Sequence, residues 1–411
     1  MSDIPTGELI KFYRIDRKKS TTNVATLAGI TVRYLEMIEA GTKTPSLDVL
    51  RSIAKVLGVR TAALLGEAPS EDHEGPVNSR LAELERALIT YRTISLNGND
   101  DLPSLEDLVN QVKATQVVWF TSPSKYSDAL RVLPWLVVNS ERTVHESDRS
   151  VGACRLASEV YQLTRSVLKY LGRTDLCGVV ADRAVRYAEE TEDPLLIAAA
   201  VWNLGQSLLV NDQPAGALDL AMAGVKKLEP LLPDGNSEHF SLYGGLQLVA
   251  TLGAMRTNDP WRARDILRGP AHQASLRVDE RYHYDNTLNF RPTNVNTLFF
   301  GPTNVGIHRV RVEYESGEIG EALRLSNDVD ISRTPSLERK NSLLTKVAQC
   351  YECKGNDAAV FVHLKMAEEI CPEDFQHRRE MRTMVRTLLK RAKPSYASEV
   401  RAFASRIGLL D

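Results

Sequence analysis

The sequence predicts an all-α protein in which a small basic head precedes a large helical-repeat body. Three observations carry this expectation. Apolar residues recur at helical spacing from Thr6 nearly to the C-terminus, with no sustained strand-type alternation. Residues 1–66 hold ten Lys and Arg against six Asp and Glu, a net of +4, whereas the full 411 residues carry 51 basic and 53 acidic side chains and a net of −2. Pairs of helical segments with small residues at fixed offsets recur after residue 80, as expected for a repeat array.

The head divides into five helices. The first runs from Thr6 to Lys18. Ser20 caps a short second helix through Leu27, and Ala28-Gly29-Ile30 makes a turn. Thr31 caps a third helix, Val32 to Ala40, with Gly41 in the C′ position. Pro45-Ser46 opens a fourth, in which Leu47, Leu50, Ile53, Ala54 and Leu57 share a face and which Gly58 closes; Thr61–Leu65 forms a fifth. Residues 67–79 (EAPSEDHEGPVNS) combine two prolines and four acids with one sizeable apolar residue, the composition of a linker. Residues 80–411 then make the body.

Repeats set the body's architecture. A tetratricopeptide unit is about 34 residues, two antiparallel helices with small residues where they touch. Ala348, Tyr351, Gly355, Ala367 and Pro372 fall at its consensus offsets. Partial copies place Leu204-Gly205 and Ala217 before Pro230, Gly317 and Ala322 before Pro335, and Gly172 with Ala184; Ser241–Arg268 has the helix-turn-helix shape without the signature. One such repeat cannot bury its own apolar face, so stacking into a solenoid follows.

Thr21–Gly41 resembles the helix-turn-helix of the XRE (phage-repressor-like) family, and the match extends over residues 6–66. It rests on Gly7, Arg14, Val24-Ala25, Ala28-Gly29-Ile30-Thr31, Leu35, Ile38-Glu39, Gly41, Pro45-Ser46 and Leu57-Gly58-Val59. The resemblance implies a five-helix lambda-repressor-like domain, a structural ion pair between Arg14 and Glu39, and a third helix that enters the major groove of DNA. By position Thr31, Val32, Arg33 and Met37 would face base edges. Arg33 can grip guanine in a bidentate way, while Val32 and Met37 offer apolar contact. Thr21, where the family has Gln, and Lys43 and Thr44, after the helix, would meet phosphate. Lys19 stands where the family has leucine, which predicts a corner that is frayed or locally rearranged. Core packing competes for Val32 and Met37, and a solvated face for Arg33 and Lys43.

The motif F-x-P-T-N-V occurs twice, at Phe290–Val295 and Phe300–Val305. One reading is a pair of turn-and-cap devices; the other is a pocket rim offering Arg291, Asn294, Thr303, Asn304 and His308 to a polar ligand, with Trp202, Tyr243 and Tyr282-His283-Tyr284 lining the same groove. This block, with Glu321–Glu338 and Cys371-Pro372-Glu373, resembles actinobacterial XRE regulators with tetratricopeptide-like C-terminal regions. That organisation is also similar to the peptide-pheromone receptors of Gram-positive bacteria.

Other classes are excluded. No apolar run reaches the ~20 residues of a membrane helix, the longest being Leu195–Trp202. No signal peptide is expected, because Asp3, Glu8 and Lys11 interrupt the N-terminus. Five cysteines fit a reducing cytoplasm. Cys350 and Cys353 lack a second ligand pair at a familiar zinc spacing among His363, Cys371 and His377, so no metal and no cofactor are expected. Catalytic patterns such as Walker A, HExxH and GxSxG are absent, and an enzyme is not expected. The expectation is a cytoplasmic transcriptional regulator whose head binds double-stranded DNA at a palindromic operator as a homodimer. Its body would sense a small molecule or peptide and carry the dimer contact. The alternative is a repeat scaffold for protein partners, anchored to DNA by the head.

Overall fold

The computed structural model describes residues 6–59, 61–65, 76–89, 101–278 and 298–409. Among the described residues every regular element is a helix. The chain separates into two compact units, residues 1–78 and 79–411.

The head contains α1 (Thr6–Asp16), α2 (Thr21–Ala28), α3 (Val32–Glu39), α4 (Leu47–Leu57) and α5 (Thr61–Leu64). Side-chain oxygens start three of them: Ser20 Oγ accepts from the Asn23 amide at 3.1 Å, Thr31 Oγ1 from Tyr34 at 3.2 Å and Ser46 Oγ from Val49 at 3.4 Å. Gly29 ends α2 at φ 70°, a left-handed conformation that a Cβ disfavours. The short helices then bury Ile10, Val24, Leu35, Ile38, Ile53 and Leu57 in one core. Of the two expectations for the corner at Lys19, fraying does not hold, because the corner is closed by hydrogen bonds. The Lys19 amide donates to Arg14 O at 2.9 Å and Arg14 Nη1 returns a bond to Lys19 O at 3.3 Å, so backbone bonds replace what a leucine side chain would supply.

Helix α6 (Pro76–Ile89) begins inside the segment read as linker. Pro76 occupies a first-turn position, where a missing N–H costs nothing, so Pro76–Ser79 are its opening turn.

The body continues as hairpins: α7 (Leu105–Thr121) with α8 (Lys125–Glu146), α9 (Val151–Tyr170) with α10 (Thr174–Glu189), and α11 (Pro194–Val210) with α12 (Pro214–Leu228). Then follow α13 (Ser237–Arg256) with α14 (Pro260–Arg268) and α15 (Pro270–Ser275), α16 (Pro302–Glu315) with α17 (Ile319–Ser326), and α18 (Leu337–Cys353) with α19 (Asp357–Ile370). The chain finishes with α20 (Asp374–His377), α21 (Arg379–Arg391) and α22 (Ala397–Arg406). Each tetratricopeptide copy read from the sequence is one of these hairpins, with Ala217, Ala322, Ala348 and Ala367 fully buried.

The first helix of each hairpin touches its counterpart in the next, in the order α7, α9, α11, α13, α16, α18, and α18 returns to touch α7. The array therefore closes on itself. Lys125 Nζ, almost wholly buried, lies 2.8 Å from Asp374 Oδ1, and the Tyr126 hydroxyl donates to the same oxygen at 2.8 Å. The Lys125 contact lies off the hydrogen-bonding angle, so it is an ion pair rather than a directed bond. The Tyr126 amide donates to Glu373 Oε2 at 2.8 Å, and Asn341 Nδ2 donates to Asp374 Oδ2 at 2.7 Å. The Trp119, Tyr126 and Tyr170 rings surround the ammonium at 5.1–5.7 Å.

Two substitutions test these assemblies. A Cβ on Gly7 would stand 1.9 Å from the Ile38 carbonyl oxygen, so Gly7→Ala is expected to destabilise the head by roughly 2–3 kcal/mol; a lowered melting temperature for an isolated 1–78 fragment, or a lost head transition in the full chain, is the readout. Lys125→Met leaves Asp374 buried and short of a cation, which is expected to cost about 3 kcal/mol in urea unfolding. A loss under about 1 kcal/mol would show that closure does not depend on this pair.

Candidate DNA interface and the polar interior of the body

The head presents α3 on a rigid frame. Arg14 Nε and Nη2 reach Glu39 Oε1 and Oε2 at 2.7 and 2.8 Å, a bidentate pair that ties α1 to the end of α3. Its hydrogen bonds to Glu39 raise the Arg14 pKa, and burial only partly offsets them. Apolar Leu35 and Ile38 turn inward, which leaves Thr31, Arg33 and Glu36 exposed and Met37 half-buried. Val32 is half-buried against the head core, as its competing packing reading requires. After α3 the chain is held in a tight turn: the Thr42 and Lys43 amides both donate to Met37 O, at 2.9 and 3.2 Å, and Thr42 Oγ1 joins them at 2.9 Å. Lys43 and Thr44 are exposed beside this turn, and Thr21 is half-buried in the first turn of α2. One cation projects from the first turn of α3 and another from the turn beyond its end.

The interior of the body is polar. On α9, Gln162, Arg165 and Lys169 recur at helical spacing; on α16, Asn304, His308 and Arg311 do the same. Arg165 is 3% exposed, and its Nε and Nη2 both bind Asn203 Oδ1, at 2.8 and 2.6 Å. Asn203 in turn donates to Gln162 Oε1 at 3.0 Å, and the Arg165 guanidinium lies 5.4 Å from the Trp202 ring centroid. Across the ring the Tyr170 hydroxyl donates to Glu338, which also meets Arg339 Nε at 3.5 Å. A small cavity of about 20 Å³ opens among Gln116, Glu159, Gln162, Trp202 and Asn203, room for one water.

Electrostatics in this interior are perturbed. Burial pushes the His308 pKa down to about 3, helped by Arg339 and Arg311, so its imidazole is neutral and its Nδ1 lies 2.9 Å from Asn304 O. Burial, Arg165, Arg339 and Arg311 push the Lys169 ammonium down to about 7 against the pull of Glu338. Burial opposes ionisation of Glu338, yet Arg339 and Lys169 outweigh it and hold that carboxyl well below the usual range. Asn304 Oδ1 is buried and has no hydrogen-bond partner among the described residues.

A larger cavity, about 930 Å³, lies elsewhere in the body, between α6, α8 and α10. Several of its polar groups are paired: Glu141 accepts from the Tyr161 and Tyr187 hydroxyls, and Arg149 pairs with Glu190 at 2.8 Å. None of the sequence-predicted residues lines it. Among the described residues no helix is long and apolar enough to cross a membrane, and no cluster of three His, Cys, Asp or Glu could hold a metal.

Residues 10–64 match the helix-turn-helix family HTH_3. The chain is 33% identical over 85 residues to the HTH-type transcriptional regulator SinR of Bacillus subtilis, a stretch that covers 20% of this chain and 77% of SinR. The chain belongs to the XRE-type helix-turn-helix family of transcriptional regulators. The immunity repressor protein of Bacillus phage phi105 is 28% identical over 101 residues, covering 22% of this chain and 70% of the repressor. Over the full length, the crystal structure of Bacillus thuringiensis PlcR in complex with the peptide PapR7 and DNA superposes loosely, with a TM-score of 0.33 and 11% identity over 98% of this chain and 99% of that one.

In this XRE-type regulator the sequence-predicted ligand residues fall into three groups. Asn304 and His308 are buried in the polar interior, and Trp202 lies under the Arg165 guanidinium. Thr303 turns away, with Oγ1 3.5 Å from Asp330 O beyond α17, and Tyr243 is half-buried on α13. Arg291 and Asn294, with Tyr282-His283-Tyr284, lie outside the described residues. The cap reading of Phe300–Val305 needs correction. Pro302 does start α16, but the cap position is Gly301 and no side chain caps it, because Thr303 and Asn304 point to other partners and to the interior. Arg165, Lys169, Asn203 and Arg339 also belong to this interior, although the positions of the three cations in the sequence do not single them out. A signal existed for Asn203, an amide set directly after the apolar run Leu195–Trp202 of α11, where an unpartnered polar group is costly.

The His308 environment predicts a pH dependence. The unfolded chain takes a proton near 6.5 and the folded chain not until about 3, so stability present above pH 6.5 is lost as the pH falls below it. His308→Gln is expected to flatten the decline by about 1.4 kcal/mol per pH unit below pH 6. Urea unfolding at pH 6 and 5 compares the two; parallel slopes would place a charged histidine in the fold.

Proposed function

We propose that this protein is a sequence-specific transcriptional regulator that binds a palindromic operator as a homodimer and answers to a small molecule or peptide held by its body. The observation that carries the first half is α3: a bidentate ion pair fixes its far end, and Thr31, Arg33 and Met37 stand outward on it. In the major groove Arg33 reads a guanine through O6 and N7, while Val32 and Met37 make apolar contact with a neighbouring base. Thr21, Lys43 and Thr44 hold phosphates and set the register of the helix without reading sequence. One small head offers too few contacts for tight specific binding, which supports a dimer on two half-sites.

The second half is supported by the body's closed ring and its buried polar interior. Asn304, His308, Trp202 and Arg165 there form a binding surface that solvent alone does not require. An effector bound inside favours one shape of the ring over others and so shifts the population that is competent for the operator. Actinobacterial origin of the chain and a cytoplasmic location fit this reading.

Binding of the purified full chain to operator and unrelated DNA at two salt concentrations tests it. Arg33→Ala is expected to lose 1–3 kcal/mol at about one base position and relax specificity there. Lys43→Ala is expected to weaken all sequences alike and to reduce the salt slope by about one. If both variants select the operator as the wild type does, α3 is not the reading helix. Uniform, salt-abolished binding to every sequence would favour a scaffold that docks partner proteins and uses the head as an anchor.

A further inference from the structure

The interior of the body holds more cationic groups than carboxylates. Arg165 and Lys169 on α9, Arg311 on α16 and Arg339 on α18 act on one another electrostatically. Three carboxylates stand closest to them among the described residues, and Glu159 on α9 lines the small cavity beside Gln162 and Asn203. Glu315 is taken by Arg311 at 2.7 Å, and Glu338 is shared between Arg339, Lys169 and the Tyr170 hydroxyl. The direct contacts of Arg165 are neutral, to Asn203, Ser166 and the Trp202 face, and Glu338 acts on it only from a distance. The neighbouring cluster at the ring closure is balanced by contrast: Lys125 and Arg378 face Asp374 and Glu380. A buried cation without a counter-charge is costly, and proteins retain one where a ligand completes the site.

Two further observations point inward to a ligand. The Asn304 amide oxygen is buried and lacks a hydrogen-bond partner among the described residues, and so does Arg339 Nε apart from its ion pair. Asn304 lies one turn from His308, which feels the field of Arg339 and Arg311. The neutral imidazole adds no charge of its own there. Lys169 is half-buried, and the Arg339 side chain is 16% exposed although its Nε is buried.

We infer that the effector of this regulator carries an oxyanion, a carboxylate or a phosphate, which docks between Arg165 and Lys169 of α9 and Arg339 of α18, with Asn304 bonding its polar substituent. The inference rests on the reading of the body as the effector domain. A planar guanidinium and a mobile ammonium suit the lone pairs of either oxyanion, and charge-assisted bonds in a partly dry site are the strong ones. An incoming anion also favours the charged form of Lys169, which burial and, after it, the neighbouring cations disfavour.

Titration calorimetry of the full chain with inorganic phosphate and with citrate, in chloride buffer of matched ionic strength at pH 7, tests this. Saturable binding of at least one probe is expected. Lys169→Gln and Arg165→Gln should each weaken it about ten-fold or more, and Lys227→Gln, an exposed cation on α12, should leave it unchanged. Phosphate alone would assign a phosphorylated effector, citrate alone a carboxylate, and either result supports the inference. No saturable binding of either probe overturns it, as does equal binding by all variants. Should Arg165→Gln fail to fold, the half-buried Lys169 carries the comparison. Operator selection by the same preparation, without probe, is read separately: intact selection with no anion binding refutes this inference alone, whereas lost selection refutes the regulator reading.

Discussion

The buried contact of the Lys125 ammonium with Asp374 joins the first hairpin of the body to its last helices, and the rest of that unit depends on it. A row of stacked hairpins exposes the inner faces of its helices to solvent, and polar residues there need no explanation. Once α18 returns to α7, those faces enclose a space, and Arg165, Asn203, Asn304 and His308 become buried. Ion pairs of this kind contribute little net stability, since desolvation of both charges offsets their attraction. They specify geometry instead: Lys125 is out of water only if Asp374 is in place, with Tyr126, Asn341 and Arg378 supplying the remaining contacts.

The head follows the same principle at smaller scale. Its helices run 4 to 11 residues, too short to persist alone. Hydroxyl caps start α2, α3 and α4, and the Arg14–Glu39 pair sets the angle between α1 and α3. Arg14 also closes the corner at Lys19 through the backbone, which shows why a family position normally held by leucine accepts lysine: the carbonyl, not the side chain, makes the contact. A stiff head presents its outward side chains at low entropic cost, as recognition of DNA requires.

The two units suit one regulator. The head supplies a preorganised reading surface with exposed Arg33 and Lys43, and the body supplies a closed space lined by polar groups that are incompletely matched. Evolutionary accident removes such mismatches cheaply, by replacement with apolar residues of similar volume. Arg165 on Asn203 and the partnerless oxygen of Asn304 are mismatches that packing alone does not require.

Local chemistry made much of this legible in the amino-acid order. Ser20, Thr31, Ser46, Gly29 and Gly41 mark helix ends through bonds within a few residues, so the head's helices were readable to within a residue or two at most ends. Alanines at repeat offsets announced the hairpins, because close helix approach demands small side chains wherever it occurs. Pro76 was misread because proline signals both linkers and first turns, and only its neighbours in space distinguish them. The candidate ligand site was half visible. Asn304 and His308 stood in a conspicuous motif, whereas Arg165, Lys169 and Arg339 look like ordinary surface cations in a helical pattern. What gathers them is the closure of the ring, a contact between residues some 250 positions apart such as Tyr126 and Asp374, separated by 248. Charge surplus is a property of that enclosed space, and no window of sequence contains it.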